Sequence, residues 1–320
     1  MRVIVLIVNY RTADLTIDAL ASLEPEIGAA TDAQVVVVDN ASEDGSYERI
    51  GAAVAARGWG SWATVLAAPS NGGFSSGNNF GLAWALERWP APRYVHLLNP
   101  DTVVRPGALA HLIAFMDANP TVGIAGSRLE DPDGRPQCSA FRFPTVLGEL
   151  EATARFGPLT RLLVDQVIAP PISTEACACD WVAGASMIIR REVFDAIGLL
   201  DDRYFMYYEE VDFTVRARRA GWTCWYVPES RVVHLVGQSS GVTDARHARR
   251  RRPDYWFESR RRYLLTHLGR RAAVAADLAF FCGSLARWAR LVIERKPLDT
   301  PEHLFADLAR HSVLAKSWAG

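Results

Sequence analysis

The sequence is poor in cysteine and contains no long uncharged apolar run. Its 320 residues include five cysteines, an odd number scattered along the chain. Such a set does not make a disulfide framework and fits a reducing cytosol. Because no run of about 20 uncharged apolar residues occurs, we expect no membrane span. The apolar N-terminus is too short for a signal peptide, so a cytoplasmic protein is predicted.

The chain as a whole also has almost no excess of charge of one sign. The formal net charge is −1, so no global field favours nucleic acid, and none is expected as a partner. Residues 246–271 are nonetheless strongly basic, with arginines at 249–252 and 260–262. These arginines bind a lipid-linked diphosphate or anionic headgroups, or they form a solvated basic face; the sequence leaves both open.

An apolar seam follows the basic segment. Apolar residues recur at spacings of four and three from Val274 to Val292, as on one face of a helix. We expect this face to pack on the main domain or on a partner subunit, such as the second copy in a homodimer. Peripheral contact with the inner face of the plasma membrane is the alternative.

The first half of the chain alternates strand and helix patterns. Continuous β-branched runs such as Val3–Val8 and Gln34–Val38 are typical of parallel strands buried on both faces. Strands are predicted at 3–8, 34–38, 62–67, 94–98, 122–125, 181–190 and 222–227. Helices are predicted at 13–24, 46–57, from after the loop Asn71-Gly72-Gly73 to about 88, from Pro106, 146–165 (weakly), 191–197 and 207–220. This order predicts an α/β domain with a largely parallel central sheet flanked by helices and a helical C-terminal extension.

Polar residues follow three of the predicted strands. Asn9-Tyr10 follows the first, Asp39-Asn40 the second and Asn99-Pro100-Asp101 the fourth. Any one of them could cap the next helix or turn. Since ligands of open α/β sheets bind beyond the carboxyl ends of strands, three such groups in succession indicate a site.

Two further segments suit ligand chemistry. The glycine-rich loop from Asn71-Gly72-Gly73 would let backbone approach a ligand closely, although a tight turn explains it equally well. Asp101 is a suitable ligand for a hard cation such as Mg²⁺ or Mn²⁺, which neutralises a diphosphate leaving group.

Acidic residues crowd the start of a predicted helix. Glu209, Glu210 and Asp212 follow the aromatic run 204–208. Acidic groups are favoured at a helix N-terminus, so a solvated first turn is one interpretation. A carboxylate beside an apolar wall and other carboxylates can instead have a raised pKa and act as a base.

The motifs in combination resemble family 2 glycosyltransferases, in particular rhamnosyltransferase-like enzymes of bacterial cell-wall and polysaccharide assembly. The resemblance covers residues 2–240 in the expected order and rests on Asn9-Tyr10 and the segments 36–42, 71–74, 99–101, 181–187, 205–212 and His234-x-x-Gly237-x-Ser239. It implies a GT-A fold, with a nucleotide-binding half at 1–126, an acceptor-binding half at 127–240 and a basic helical extension at 241–320.

The resemblance also implies residue roles. Asp39 would contact the nucleobase, with Asn9 and Tyr10 near it. Asp101 would hold the metal as the second acid of the family's D-x-D pattern, whose first acid is Asn99 here, and His234 would complete the metal site. Gly184 and Ala185 would line the acceptor side, and Asn71, Gly72, Trp181 and Gly184 are further candidates for contact with the donor.

The expected chemistry is inverting transfer. Glu210 matches the family's base, with Asp212 in reserve and Glu209 beside it. The best-fitting donor is dTDP-rhamnose, or a UDP-sugar, and the acceptor a saccharide or polyprenyl-diphosphate-linked saccharide of the cell envelope. A sugar-phosphate nucleotidyltransferase is one alternative, for which Arg11 is the only N-terminal basic candidate; a non-catalytic sugar-nucleotide-binding protein is another.

Overall fold

A computed structural model describes residues 2–27, 31–235 and 249–315. The chain divides into two compact units. Counting described residues only, the first lies within Met1–Phe141, Pro171–Phe205 and Glu209–Ser239, and the second within Arg142–Pro170, Met206–Tyr208 and Ser240–Gly320. The predicted division at residues 126 and 240 stays a prediction.

Strands and helices alternate along the first unit. The strands are β1 (Val3–Asn9), β2 (Ala33–Asp39), β3 (Ala63–Ala67), β4 (Tyr94–Leu98), β5 (Thr102–Val104), β6 (Val122–Glu130), β7 (Ala140–Phe141), β8 (Cys177–Cys179), β9 (Trp181–Val182), β10 (Ser186–Arg190) and β11 (Thr223–His234). The helices of both units are α1 (Ala13–Leu23), α2 (Ser46–Ala56), α3 (Gly73–Arg88), α4 (Ala108–Ala118), α5 (Val146–Ala154), α6 (Gly157–Leu162), α7 (Arg191–Ile197), α8 (Glu209–Arg219), α9 (Asp254–Tyr263), α10 (Gly269–Ile293) and α11 (Leu304–His311).

The main sheet has the order β3-β2-β1-β4-β10-β6-β11-β5, with β8 also on β11. Strands β1 to β4 pair in parallel, as do β6 and β11. Strand β10 runs antiparallel between β4 and β6. The start of β10 therefore lies at the same edge as the ends of β1, β2 and β4. The expected α/β fold class is confirmed.

The central strands are buried on both faces. Val3, Val5 and Ile7 of β1 join one apolar cluster, while Ile4 and Leu6 join another on the opposite face. This alternation follows from the two-residue period of a strand. It explains why these strands read as continuous apolar runs.

Several predicted elements have different bounds in the structure; for example, the helix predicted at 146–165 is two helices, α5 and α6. The strand predicted at 181–190 is two strands, because β9 pairs with β7 in a small separate sheet whereas β10 belongs to the main sheet. The helix predicted from Tyr207 begins at Glu209. Tyr207 and Tyr208 have φ of 69° and 67°, which is outside the range of a right-handed helix.

Strand β11, the last strand along the chain among the described residues, is longer than predicted. Strand β11 continues through Pro228 to His234, with a register shift against β6 between Val227 and Arg231. Such a shift accommodates a residue that has no N–H to donate to a neighbouring strand. The strand predicted at 222–227 therefore ended too early, and His234 is a strand residue rather than part of a loop after the strand.

The second unit is helical among its described residues. Helix α10 packs on α5 at Gly283, where a Cβ atom would lie 2.2 Å from Thr153 Oγ1 and 2.8 Å from the Leu150 oxygen. The buried guanidinium of Arg260 adds ion pairs to Glu149 of α5 and Asp277 of α10. Together these contacts link three helices of the unit.

The apolar seam of α10 lies on its exposed side. Its solvent-facing members are Leu278, Phe281, Leu285, Trp288 and Val292. The helical run Asp254–Ile293 is long and apolar enough to cross a membrane. That is weak evidence, since the core helix of a soluble protein meets the same criteria.

Candidate active site

The predicted polar residues gather at one edge of the main sheet. Asn9 and Asp39 are the last, paired residues of β1 and β2, and Asn99 directly follows β4. The backbone N–H of Asn99 donates to the oxygen of Ala185, 3.0 Å away, just before β10 begins. The reversed direction of β10 thus places Gly184 and Ala185 at the edge formed by the ends of the parallel strands.

Asn9 and Asp39 form a buried hydrogen-bond network. Asn9 Nδ2 donates to Asp39 Oδ1 at 2.7 Å, and Asp39 also accepts from the Ser42 hydroxyl at 2.6 Å and the Ser42 backbone N–H at 3.1 Å. Asn9 Oδ1 accepts from the hydroxyls of Thr12 and Thr16, both at 3.0 Å. Asp39 therefore closes a local turn as well as lying at the sheet edge.

Tyr10 is more open than its neighbour Asn9. Its side chain is 39% exposed, and the guanidinium of Arg11 lies 5.1 Å from its ring centroid. Arg11 is also held by its Nε, which donates to the Ser42 oxygen at 3.0 Å. Of these residues, Tyr10 offers the accessible surface that a flat ligand could cover.

The glycine-rich loop is shaped by close backbone packing. Gly73 has a φ of +84°, and a Cβ atom there would lie 1.9 Å from the Phe205 oxygen. That oxygen accepts the Phe74 N–H at 2.8 Å. Asn71 Oδ1 accepts from Gly73 N at 3.0 Å and from Asn40 Nδ2 at 2.9 Å. Only glycine fits position 73, whatever the loop binds.

Gly72 is also constrained, though by a side chain. A Cβ atom on Gly72 would lie 2.5 Å from the Ser76 hydroxyl. Asn71 and Gly72 thus stand at the entry to α3, with Asn71 tied to the end of β2 through Asn40.

Asp101 and His234 meet where two strands pair. Antiparallel pairing of β5 with β11 sets His234 opposite Thr102, the residue after Asp101. His234 Nε2 lies 3.5 Å from Asp101 Oδ1, and the Asp101 carboxylate is fully buried. A carboxylate oxygen and an imidazole nitrogen thus lie within ion-pair distance of each other.

No larger ligand group accompanies this pair. Among residues 2–27, 31–235 and 249–315, no cluster of three or more His, Cys, Asp or Glu side chains is arranged to hold a metal ion. Gly237 and Ser239 of the His234 motif lie outside these residues. Mg²⁺ commonly takes one or two protein ligands and completes its shell with substrate phosphates and water, so two donors are compatible with such an ion.

Glu209 is buried at the N-terminus of α8, and Glu210 is partly buried with its Oε2 atom shielded from solvent. Oε2 of each lacks a hydrogen-bond partner. Burial raises the pKa of Glu210 to about 7, against the opposing effect of nearby backbone N–H groups, including that of Gly184. Burial and the neighbouring charge of Glu210 raise the pKa of Glu209 as well. The solvated first turn considered above is therefore not what the structure contains.

Asp212 lies in a different environment on the same helix. Its Oδ2 accepts from Arg216 Nε at 2.7 Å, and Arg216 also donates to the backbone oxygens of Ile197 and Leu199 at 2.9 and 3.0 Å. The Asp212 carboxylate thus anchors a cation that ties α8 to the segment after α7. The sequence analysis did not single out Arg216, although its i+4 spacing from Asp212 is a recognisable signal.

Gly184 and Trp181 lie in the segment that leads into β10. A Cβ atom on Gly184 would lie 3.5 Å from the Phe74 ring and 3.9 Å from Glu210 Cβ. Trp181 stacks on Phe141 with ring centroids 4.2 Å apart. Gly184 therefore links the glycine-rich loop to Glu210, while Trp181 is held in the small sheet.

The chain matches a glycosyltransferase family profile and resembles two rhamnosyltransferases. The profile of glycosyltransferase-like family 2 matches residues 2–252. An N-acetylglucosaminyl-diphospho-decaprenol L-rhamnosyltransferase of Mycobacterium tuberculosis is 32% identical over 162 residues, which are 48% of this chain and 50% of that protein. Rhamnosyltransferase WbbL of Escherichia coli is 27% identical over 171 residues, covering 51% and 61% of the two chains. The chain spans about half the length of the first of these relatives.

A solved structure shares the fold. A mannosyltransferase from Pyrobaculum calidifontis, in complex with GDP-Man and Mn²⁺, superposes with a TM-score of 0.55 at 17% identity. The match covers 91% of this chain and 75% of that one. At this identity the likeness shows the fold alone, and it agrees with the architecture expected from the sequence.

Proposed function

The chain belongs to glycosyltransferase-like family 2, and on that premise we propose that it transfers a sugar from a nucleotide diphosphate donor to an acceptor hydroxyl with inversion. The observation that carries this proposal is Glu210. Its carboxyl group has one buried oxygen without a hydrogen-bond partner, and its pKa is raised to about 7. A base with a pKa near the working pH suits proton abstraction from a hydroxyl.

In the proposed reaction Glu210 accepts the proton of the acceptor hydroxyl. The acceptor oxygen forms a bond to the anomeric carbon as the bond from that carbon to the donor diphosphate breaks. The electron pair of the broken bond leaves with the diphosphate, and the configuration at carbon inverts. Glu209, beside Glu210, favours the protonated state of the pair after transfer, because two adjacent buried carboxylates resist ionising together.

Asp101 and His234 would hold a Mg²⁺ or Mn²⁺ ion. The 3.5 Å separation of His234 Nε2 from Asp101 Oδ1 suits two ligands of one ion. Bound there, the ion would neutralise charge on the leaving diphosphate. Asn99 contributes no negative charge to this site, so its protein ligands are fewer than in a site with two acids.

Donor binding is assigned to the edge formed by β1, β2 and β4. Tyr10 would lie against the nucleobase, and Asn9 would hold Asp39 for contact with it. The loop at Asn71-Gly72 and the start of β10 at Gly184 would border the sugar and diphosphate, with Asn99 between them. Trp181 would border the donor, and Ala185, which follows Gly184, would line the acceptor side of this edge.

The best candidate donor sugar is L-rhamnose, carried as dTDP-rhamnose. Support comes from the two rhamnosyltransferases that the chain resembles in sequence. One of them is named for an acceptor with a diphospho-decaprenol group, so a polyprenyl-diphosphate-linked saccharide is the acceptor we favour here. Synthesis of cell-envelope polysaccharide from the cytoplasmic side would follow.

Peripheral membrane contact fits a lipid-linked acceptor. The exposed apolar seam of α10 could lie on the membrane surface or pair with a second copy of the chain. An apolar helix face that lies in the interface plane binds lipid reversibly. Flotation with vesicles and the oligomeric state in solution separate the two occupants.

A panel of nucleotide sugars tests the proposed activity. Thermal shift is measured for dTDP-rhamnose, UDP- and GDP-sugars, each with and without Mn²⁺, followed by a transfer assay with the best donor. A ligand that binds only the folded state raises the melting temperature, so a selective, metal-dependent shift names the donor. No shift with any donor would contradict the proposal.

The nucleotidyltransferase alternative has less support. It would need a basic residue near the N-terminus to meet phosphates. Arg11, the only candidate, is engaged with Ser42 and the Tyr10 ring. A non-catalytic sugar-nucleotide-binding protein is tested by the Glu210 and Asp101 variants described below.

A further inference from the structure

The guanidinium of Arg252, in the second unit, lies against two aromatic rings, and Glu149 acts on it electrostatically without forming an ion pair with it. Arg252 makes no hydrogen bond or ion pair there, and its Nη1 atom is buried without a partner. Its Cζ atom lies 4.0 Å from the ring centroid of Trp256 and 5.8 Å from that of Phe280. Burial lowers the pKa of this guanidinium.

Arg260 gives an internal comparison, since it contacts the same ring. Its Cζ atom lies 4.9 Å from the Phe280 centroid. Unlike Arg252, it donates to Asp277 Oδ1 at 2.6 Å and to Glu149 Oε2 at 2.9 and 3.0 Å. Burial opposes its charge, but these carboxylates raise the pKa of Arg260. Of two guanidiniums beside one phenylalanine, Arg260 forms direct ion pairs and Arg252 forms none with a described residue.

The other arginines of the run 249–252 differ from Arg252. Arg251 forms a two-point ion pair with Asp307, at 2.6 and 2.8 Å, and therefore has a structural role. Arg249 and Arg250 are exposed. Only Arg252 combines a buried nitrogen with the absence of a protein acceptor in the described part of the chain.

A buried cation without a partner is energetically unfavourable. The remedy is an anion supplied from outside, and a guanidinium presents a planar fork of donors that matches phosphate oxygens. We propose that Arg252, stacked on Trp256, binds a phosphate or diphosphate group of a ligand. The residue is half-buried, so a ligand reaches it from the exposed side.

Two sources could supply that group. One is the diphosphate of a lipid-linked acceptor, and this source rests on the proposed glycosyl transfer. The other is the headgroup of a membrane phospholipid, which requires no transferase activity. Both present the same oxyanion to Arg252.

Binding of inorganic diphosphate to the full chain tests the proposal. Calorimetry in EDTA excludes binding through a metal ion. The wild type should bind, and Arg252→Met should weaken binding at least about tenfold, the effect of losing a charge-assisted hydrogen bond. Arg250→Met removes the same charge from an exposed position of the same run and should leave binding unchanged. The proposal is overturned if the wild type does not bind diphosphate, or if Arg252→Met binds it as tightly as the wild type.

Stability without any anion provides an independent readout. Arg252→Met should keep or raise the melting temperature, because it removes an uncompensated buried charge. Arg260→Met should lower it, because it leaves two buried carboxylates unpaired. If Arg252→Met lowers the melting temperature as much as Arg260→Met does, Arg252 has a partner within the protein. That result would overturn the proposal that Arg252 binds an external anion.

Vesicles separate the two sources. Cosedimentation is compared on phosphatidylcholine vesicles with and without phosphatidylglycerol. If Arg252→Met loses diphosphate binding but still binds anionic vesicles, Arg252 binds the diphosphate of the acceptor. If the variant loses binding to diphosphate and to anionic vesicles, Arg252 binds the phospholipid headgroup. Glu210→Gln, which should stop transfer, should bind diphosphate like the wild type, so the site and the proposed activity fail separately.

Discussion

His234 Nε2 lies 3.5 Å from the buried carboxylate of Asp101. The two residues are 133 positions apart in the chain, and antiparallel pairing of β5 with β11 brings them together. An acid and an imidazole with this separation suit one divalent cation. The proximity ties the proposed metal requirement to two specific side chains.

Asp101→Asn should abolish metal-dependent donor hydrolysis and transfer, because it removes the only anionic protein ligand in the proposed site. Activity is measured over a Mn²⁺ titration with the donor found by thermal shift. His234→Gln should raise the Mn²⁺ concentration needed for half-maximal activity. Asp133→Asn, at an exposed position, serves as the control. Full turnover by Asp101→Asn at low Mn²⁺ would remove Asp101 from the metal site.

Glu210→Gln should abolish transfer and spare donor binding, because glutamine keeps the shape of the side chain but cannot take a proton. For the wild type, kcat/KM should rise with pH through about 7 and then level off, since the base acts in its ionised form. The pH–rate profile and donor binding of the variant check this. A rate independent of pH between 5 and 8 would exclude Glu210 as the base.

The same substitution should change stability in a pH-dependent way. Burial raises the pKa of Glu210 above its unfolded value, so the folded state retains this proton over the range in which the unfolded state loses it. The contribution of Glu210 to stability is therefore greatest at low pH and falls as pH rises towards about 7. Relative to the wild type, Glu210→Gln should gain stability between pH 5 and 8. Denaturant unfolding at several pH values measures the difference, and a constant difference would argue against the raised pKa.

Asp212→Asn should act mainly on stability. The substitution weakens the ion pair with Arg216, which also holds the oxygens of Ile197 and Leu199. We expect a loss of about 1–3 kcal/mol in the free energy of unfolding, as for a hydrogen bond to a charged group. A double-mutant cycle with Arg216→Met should recover part of it. Loss of transfer with unchanged stability would instead favour Asp212 as the base.

Gly73→Ala should unfold or distort the glycine-rich loop. The new Cβ atom would meet the Phe205 oxygen at 1.9 Å, in addition to the left-handed φ of +84°. Gly45→Ala is a matched control, because Gly45 has a φ of +82° with nothing within 4 Å of the added carbon. The control measures the destabilisation caused by the left-handed backbone conformation alone, about 1–2 kcal/mol. Equal melting temperatures for the two variants would mean that the loop shifts to relieve the clash with the Phe205 oxygen without a loss of stability.

Much of the first unit could be predicted because its signals are local. Apolar β-branched runs identified β1, β2 and β4 to within a residue or two, since strands buried on both faces need apolar residues at every position. The short strands β5, β7 and β8 were missed, because two or three residues carry no periodicity. The N-terminus of α8 was placed too early, since positive φ at Tyr207 and Tyr208 is not encoded by those residue types.

Sequence by itself determined the fold class, the family and the order of the polar residues along the chain. These follow from local periodicity and from motifs that survive in linear order. Tertiary structure alone decided that Glu210 has a buried oxygen without a hydrogen-bond partner while the nearby Asp212 is paired with Arg216, and that His234 ends a strand beside Asp101. It also decided that Arg260 is neutralised while Arg252 lacks a partner among the described residues. Burial and charge pairing depend on groups distant in the chain, so no local pattern records them.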